Sequence, residues 1–126
     1  MLSLPSSVRI FAATAPQDMR KSFDGLASVT RSLLGQEPMD GSLYLYFSRH
    51  ADLVKVLWWD RGGWCLFSKR LAKGRFTRPT AEANATHVNV DTTMLAMILD
   101  GVDLARVRRK ARFEPRYFSQ LENHAT

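Results

Sequence analysis

The sequence predicts an α+β domain: a small, mainly antiparallel sheet of four or five strands, with one long helix (about 17–34) on a face and a shorter one (about 91–100) at an edge. Three observations carry this. SLYLYFS (42–48) alternates and is followed by two more strand-like runs joined through Arg61-Gly62-Gly63. Met19, Phe23, Leu26, Thr30 and Leu33 recur at helical spacing. Asp91 stands where it can cap a helix striped by Met94, Leu95, Ile98 and Leu99.

Taken in order, VRIFAA (8–13) has the apolar, β-branched character of a first short strand. Thr14-x-x-Gln17 then fits a capping box, with Pro16 in the first turn and Asp18 where a carboxylate favours the helix dipole. Gly35 is a natural stop for this helix, whose other face offers Arg20, Lys21, Asp24 and Arg31. QEPMDG (36–41) reads as a turn. In 42–48, Leu43, Leu45 and Phe47 point one way and Tyr44 and Tyr46 the other.

Strands at about 52–59 and 64–71 follow. A two-residue loop at either Arg61-Gly62 or Gly62-Gly63 makes opposed residue numbers sum to an odd total. Val54, Val56, Trp58, Cys65, Phe67 and Leu71 then share one face, interrupted by Lys69, and this face is the expected core. Lys55, Trp59, Trp64, Ser68 and Arg70 share the other with Leu53, Leu57 and Leu66. Trp59 and Trp64 beside Lys55 and Arg70 have two readings. Half-exposed indoles next to cations can stack on bases; equally, the 17–34 helix or the C-terminal segment can cover them, the reading preferred because Trp is well buried on average. HVNV (87–90) is a candidate last strand, and Gly101 ends the second helix.

A chain of 126 residues, 45% apolar, suits one domain over about 1–113 with a tail at 114–126. No apolar stretch reaches the length of a membrane span, and the N-terminus lacks the pattern of a signal peptide, so the expected location is the cytoplasm and no membrane partner is expected. The single cysteine, Cys65, can form no internal disulfide and no CxxC metal site.

Charge is the more informative property. The formal net charge is +6, yet residues 1–60 balance six Lys/Arg against six Asp/Glu while residues 61–126 hold twelve against six. An excess confined to one half favours a polyanionic partner, since each cation near a phosphate releases condensed counterions. The plain alternative is a solvated surface that aids solubility. ARVRRKARFEPR (105–116) sets six cations against Glu114 alone and is either a basic arm that orders on a partner or a solvated tail.

Catalytic patterns are absent from the sequence. His50, His87 and His124 are far apart, there is no GxxxxGK[ST] or GxGxxG fingerprint, and no cofactor or metal is implied. A Cys65/His pair would need a thiol that the strand register points into the core.

Three blocks in order carry a resemblance: PQDMRKSFDGL (16–26), LYLYFSRHADLVKVLWWDRGGWCLFSKRLAKGRFTRP (43–79) and TTMLAMILDGVDL (92–104). Their most specific parts are Asp18-Met19-Arg20-Lys21 with Phe23-Asp24-Gly25-Leu26, the segment Lys55-x-Leu57-x-Trp59-Asp60, and Lys69-Arg70-Leu71 before Gly74-Arg75-Phe76. Over about residues 8–110 the chain closely resembles the accessory TnpB family of insertion-sequence-66 bacterial transposons, which is distinct from the RNA-guided nuclease of the same name. The resemblance implies a protein encoded beside a separate DDE transposase and a small helix-turn-helix protein, needed for efficient transposition and without an assigned active site. Ser22 stands where relatives commonly have glycine, and the tail after about 113 is extended relative to the family pattern.

Three functional expectations follow. The first is a non-catalytic accessory factor holding transposon DNA, or the transposase–DNA complex, with low sequence specificity. Its contacts would be Lys55, Arg61, Lys69, Arg70, Lys73, Arg75 and Arg78, helped by Arg20, Lys21 and an arm containing Arg106, Arg108 and Arg109. The second is an adaptor that docks on the transposase or another element protein through Trp59 and Trp64, favoured if these lie well away from the cations. The third is a metal-dependent nuclease, which requires two or more of Asp18, Asp24, Asp52 and Asp60 to converge with a lysine.

Overall fold

The structure, a computed structural model, describes residues 7–102. Its elements are β1 (Ile10–Ala13), α1 (Phe23–Ser32), a 3-10 turn (Pro38–Asp40), β2 (Leu43–Phe47), β3 (Leu53–Asp60), β4 (Gly63–Arg70), β5 (His87–Val90) and α2 (Thr92–Leu99). The five strands form one sheet in the order β4-β3-β2-β1-β5. Only β1 and β2 run parallel, joined by the crossover through α1; the other pairs are antiparallel. This is the small α+β fold expected, with five strands.

The hairpin register agrees with the odd-sum rule from Leu53↔Arg70 to Asp60↔Gly63. The loop is Arg61-Gly62, and both residues have positive φ, 49° and 82°. A type I′ turn needs that geometry at both positions, because its twist matches that of the strands. Gly62 adopts it at no steric cost, whereas Arg61 bears the strain of a side chain in the left-handed region.

Both faces of the sheet are buried, which corrects the expectation of a single core face. On one, Ile10, Leu43, Leu45, Phe47, Val54 and Val56 pack with Phe76 and with Leu95, Ile98 and Leu99 of α2. On the other, Phe11, Tyr44, Tyr46 and Leu57 pack with Leu26, Ala27 and Val29 of α1. The second helix therefore covers a face and does not sit at an edge: Leu95, Ile98 and Leu99 are buried in that face's core. Its cap is the expected one, Asp91 accepting from the Met94 N–H at 2.7 Å.

The first helix is shorter than the 17–34 expected. The Thr14 hydroxyl, predicted to cap it, donates instead to the Ala85 carbonyl (2.6 Å), and the Gln17 N–H donates to the Phe47 carbonyl (3.0 Å). The chain thus stays beside the sheet for one further turn. Asp18 caps the Arg20 N–H (2.9 Å), and helix begins after Ser22. Shifting the start moves the buried stripe to Leu26, Ala27, Val29 and Thr30, leaving Phe23 and Leu33 exposed. Gly35, at φ +65°, follows its end as anticipated.

Candidate nucleic-acid interface at one end of the sheet

The two ends of the sheet carry different chemistry. At one lie the exits of β1, β2 and β4 and the entrances of β3 and β5. Strand pairing and hydrogen bonds bring four segments there: 14–22, the β2–β3 turn 48–52, the loop after β4, and the end of α2. At the other end are the Arg61-Gly62 turn, the 3-10 turn and the start of α2.

The loop after β4 is fixed by named bonds. The Leu71 N–H donates to Asp52 O (2.9 Å) and the Phe76 N–H to Ala51 O (2.6 Å). Phe76 is buried beside Phe47, ring centroids 6.5 Å apart, and the Thr77 hydroxyl reaches Val102 O (3.4 Å). Anchored at both ends, this loop carries Lys73 and Arg75 exposed and Arg78 half-buried next to exposed Arg70. The β2–β3 turn adds exposed Arg49 and His50, which the sequence reading left out. The bonds from the 71–76 loop back to Ala51 and Asp52 put them beside the other cations.

Arg20 and Lys21 belong to the same end, through Lys55. The Lys55 ammonium donates to Met19 O (2.7 Å) and Lys21 O (2.9 Å), pinning the turn before α1 to β3. Lys69 plays the matching part on the other face: its ammonium donates to Leu99 O (2.6 Å), placing a cation at the C-terminal end of α2, where the helix dipole favours one. Of the cations expected at the site, these two are thus engaged by the protein's own backbone. Arg61 lies apart at the hairpin turn, a strand roughly 26 Å long from the rest. Arg106, Arg108 and Arg109, with the 105–116 arm, lie outside the described residues.

Neutralisation is sparse. Among the described residues the ion pairs are Arg9–Asp40, Arg20–Asp18 and Arg31–Glu37. Only Arg20–Asp18 touches the basic end. The hydrogen bonds from the Arg20 guanidinium, with the Arg20 N–H, hold the Asp18 carboxyl down to about 2, yet the Arg20 side chain remains 91% exposed. Asp52 is held below the usual carboxylate range chiefly by the Ser48 hydroxyl at 2.9 Å. Lys21, Arg49, Arg70, Lys73, Arg75 and Arg78 have no carboxylate within 4 Å among the described residues.

The opposite end differs in kind. Trp59 and Trp64 face each other across the hairpin, edge to face with centroids 4.9 Å apart, and both are half-buried. Trp64 packs against the α1 core, so helix covers the pair in part. Leu33 and Met39, 39% and 46% exposed, add apolar surface at this end. The indoles are therefore separated from the cations, apart from Arg61.

Asp18 and Asp52 both lie at the basic end, but each is engaged locally, by Arg20 and by the Ser48 hydroxyl. Asp60 is at the hairpin turn, with Asp52 at the far end of the same strand. Among the described residues no group of three or more His, Cys, Asp or Glu is placed to hold a metal ion. An open cleft along β5, lined by Glu82, His87 and Asn89, takes in none of the site's lysines or arginines.

Comparison with known proteins decides the family. A family model described as "IS66 Orf2 like protein" (TnpB_IS66) matches residues 8–109. The chain belongs to the IS66 Orf2 family. Its members are transposition-associated accessory proteins, in agreement with the resemblance drawn from the three sequence blocks. This IS66 Orf2 chain is 40% identical over 103 residues to the uncharacterized protein y4hO of Sinorhizobium fredii, covering 82% of the chain and 88% of the relative. It is 29% identical over 110 residues to y4jC, also an uncharacterized protein of Sinorhizobium fredii, covering 87% and 92%. No solved structure matches it. No helix among its described residues is long and apolar enough to cross a membrane.

Proposed function

We propose that this accessory protein is non-catalytic and binds transposon DNA, free or in the transposase–DNA complex, through the basic end of its sheet. One observation carries the reading. Arg20, Lys21, Arg49, Arg70, Lys73, Arg75 and Arg78 are gathered from four chain segments, and all but Arg20 lack an ion-pair partner among the described residues. The positive end of the α1 dipole lies beside Lys21 and adds to the same potential. Such a surface recognises phosphates and confers little base specificity. Lys55 and Lys69 support it from beneath by holding the segments that carry the contacts.

Titrating a labelled duplex taken from the element's terminal repeats tests this. If about six cations meet phosphates, log K falls against log salt with a slope near −5. The variant Arg70→Ala/Lys73→Ala/Arg75→Ala loses on the order of a hundredfold in affinity at 0.15 M salt and about three units of slope. Unchanged affinity in the folded triple variant defeats the proposal.

A second reading is favoured by the position of Trp59 and Trp64 at the end away from the cations. There the half-buried indoles, with Leu33 and Met39, are a docking surface for the element's transposase or another of its proteins. Co-purification with the transposase that survives the arginine and lysine changes but is lost in Trp59→Ala/Trp64→Ala supports it; the reverse pattern removes it.

A further inference from the structure

β4 is an edge strand of eight residues that pairs with β3 alone. The opposite edge, β5, has four. Exposed edges are commonly blunted by bulges, prolines or short length. The pairing of β4 is unbroken from Gly63 to Arg70, with no proline, and its middle is apolar and only half-buried: Trp64, Cys65, Leu66 and Phe67.

The direction of its backbone groups follows from the hairpin. A two-residue loop makes Asp60↔Gly63 a hydrogen-bonded pair, and alternation makes Trp58↔Cys65, Val56↔Phe67 and Val54↔Lys69 the next ones. The Leu71 N–H bond to Asp52 O continues that series. Trp64, Leu66, Ser68 and Arg70 therefore turn their N–H and C=O groups outward, and among the described residues none of these meets a backbone partner.

We infer that this edge receives β4 of a second copy of the chain, paired antiparallel about Phe67. The strand is self-complementary in that register. Trp64 opposes the partner's Arg70 and Leu66 opposes the partner's Ser68, so all four outward residues pair. On the α1 face the arrangement sets an indole against a guanidinium, a favourable cation–π contact. On the α2 face Phe67 meets its own copy across the two-fold axis. Charge favours the antiparallel direction: a parallel pair would lay one basic end on the other, whereas the two-fold sets each basic end beside the partner's hairpin turn, where the charges of Asp60 and Arg61 cancel. The result is a continuous ten-stranded sheet with the two basic ends well separated.

Phe67 and its copy form a non-hydrogen-bonded pair, with Cα atoms about 4.5 Å apart, within disulfide range. The test is therefore a cross-link. Full-length chain carrying Cys65→Ser/Phe67→Cys is expected to oxidise to a covalent dimer, while Cys65→Ser/Ala72→Cys, with its thiol in an exposed loop, stays monomeric. Sedimentation of the unaltered chain is expected to show a concentration-dependent dimer that Ser68→Pro weakens at least tenfold, since proline deletes an outward N–H without touching the β3 ladder. Amide exchange at Trp64, Leu66, Ser68 and Arg70 in the unaltered chain should slow as concentration rises. A chain monomeric at all concentrations, or edge amides equally protected in the monomer because residues 103–126 cover them, overturns the inference. So does a dimer indifferent to Ser68→Pro.

Discussion

At the basic end, cations from distant segments meet with little to neutralise them; at the hairpin end, Arg9 and Arg31 are matched by Asp40 and Glu37, Arg61 stands next to Asp60 in sequence, and Leu33 and Met39 are exposed. Both ends are built on the same two strands, β3 and β4, so the contrast comes from what the loops deliver. It teaches that the excess charge of the second half of the sequence is not a property of a sheet face. Both faces are filled by helices, and unpaired cations are left where chain segments turn over the sheet's end.

The contrast breaks most readily in DNA affinity. Arg70→Ala/Lys73→Ala/Arg75→Ala is expected to lose on the order of a hundredfold at 0.15 M salt, against less than threefold for Trp59→Ala/Trp64→Ala, by fluorescence anisotropy. Equal losses would mean that the ends work as one surface.

Next in size are the two lysines that hold the basic end together. Lys55→Met leaves the Met19 and Lys21 carbonyls without their donor, and Lys69→Met removes the cation from the end of α2. Each is expected to cost about 1–3 kcal/mol in denaturant unfolding, more than Lys73→Met, which touches nothing buried. If Lys73→Met costs as much, the division between supporting and contacting cations fails.

The α1 face, shared by both ends, carries a pH signature. The Thr30 hydroxyl donates to Leu26 O, so the Tyr46 hydroxyl donates to Thr30, and burial pushes Tyr46 up to about 12. Burial and Asp40 also raise Tyr44 well above the usual phenol range. A group raised in the folded state stabilises fully below its unfolded value near 10, and this contribution is lost as pH climbs from 10 through 12. Thermal melts should fall across that window, and Tyr46→Phe should reduce the fall.

The smallest effect is at the hairpin turn. Arg61→Asn relieves a left-handed arginine and should stabilise by about 0.5 kcal/mol while leaving DNA affinity within twofold. A large loss of affinity would draw the turn into the basic surface.

Much of the fold was legible because its signals are local. The glycine turn set which hairpin side chains share a face, alternation in 43–47 assigned the two faces of β2, and Asp91 marked α2. The start of α1 was not, because Thr14 and Gln17 bond to Ala85 and Phe47, partners 71 and 30 residues away. Nor was the burial of both faces, since each face of the β3–β4 hairpin carries apolar residues interrupted by a lysine, Lys55 on one and Lys69 on the other. At the candidate site the cation types were readable from charge alone. Which of them are engaged internally was not: Lys55 and Lys69 find backbone carbonyls that only the folded chain brings near, and Arg49 joins the group through the Phe76–Ala51 bond.

Backbone amide spectra recorded while the element's terminal duplex is added put the central claim to its most direct test. The account predicts shifts concentrated at residues 18–21, 49–50 and 70–78, weakening as salt rises, with 58–66 little changed. Shifts centred on Trp59, Arg61 and Trp64, or none at a concentration where the duplex is retained, would contradict it.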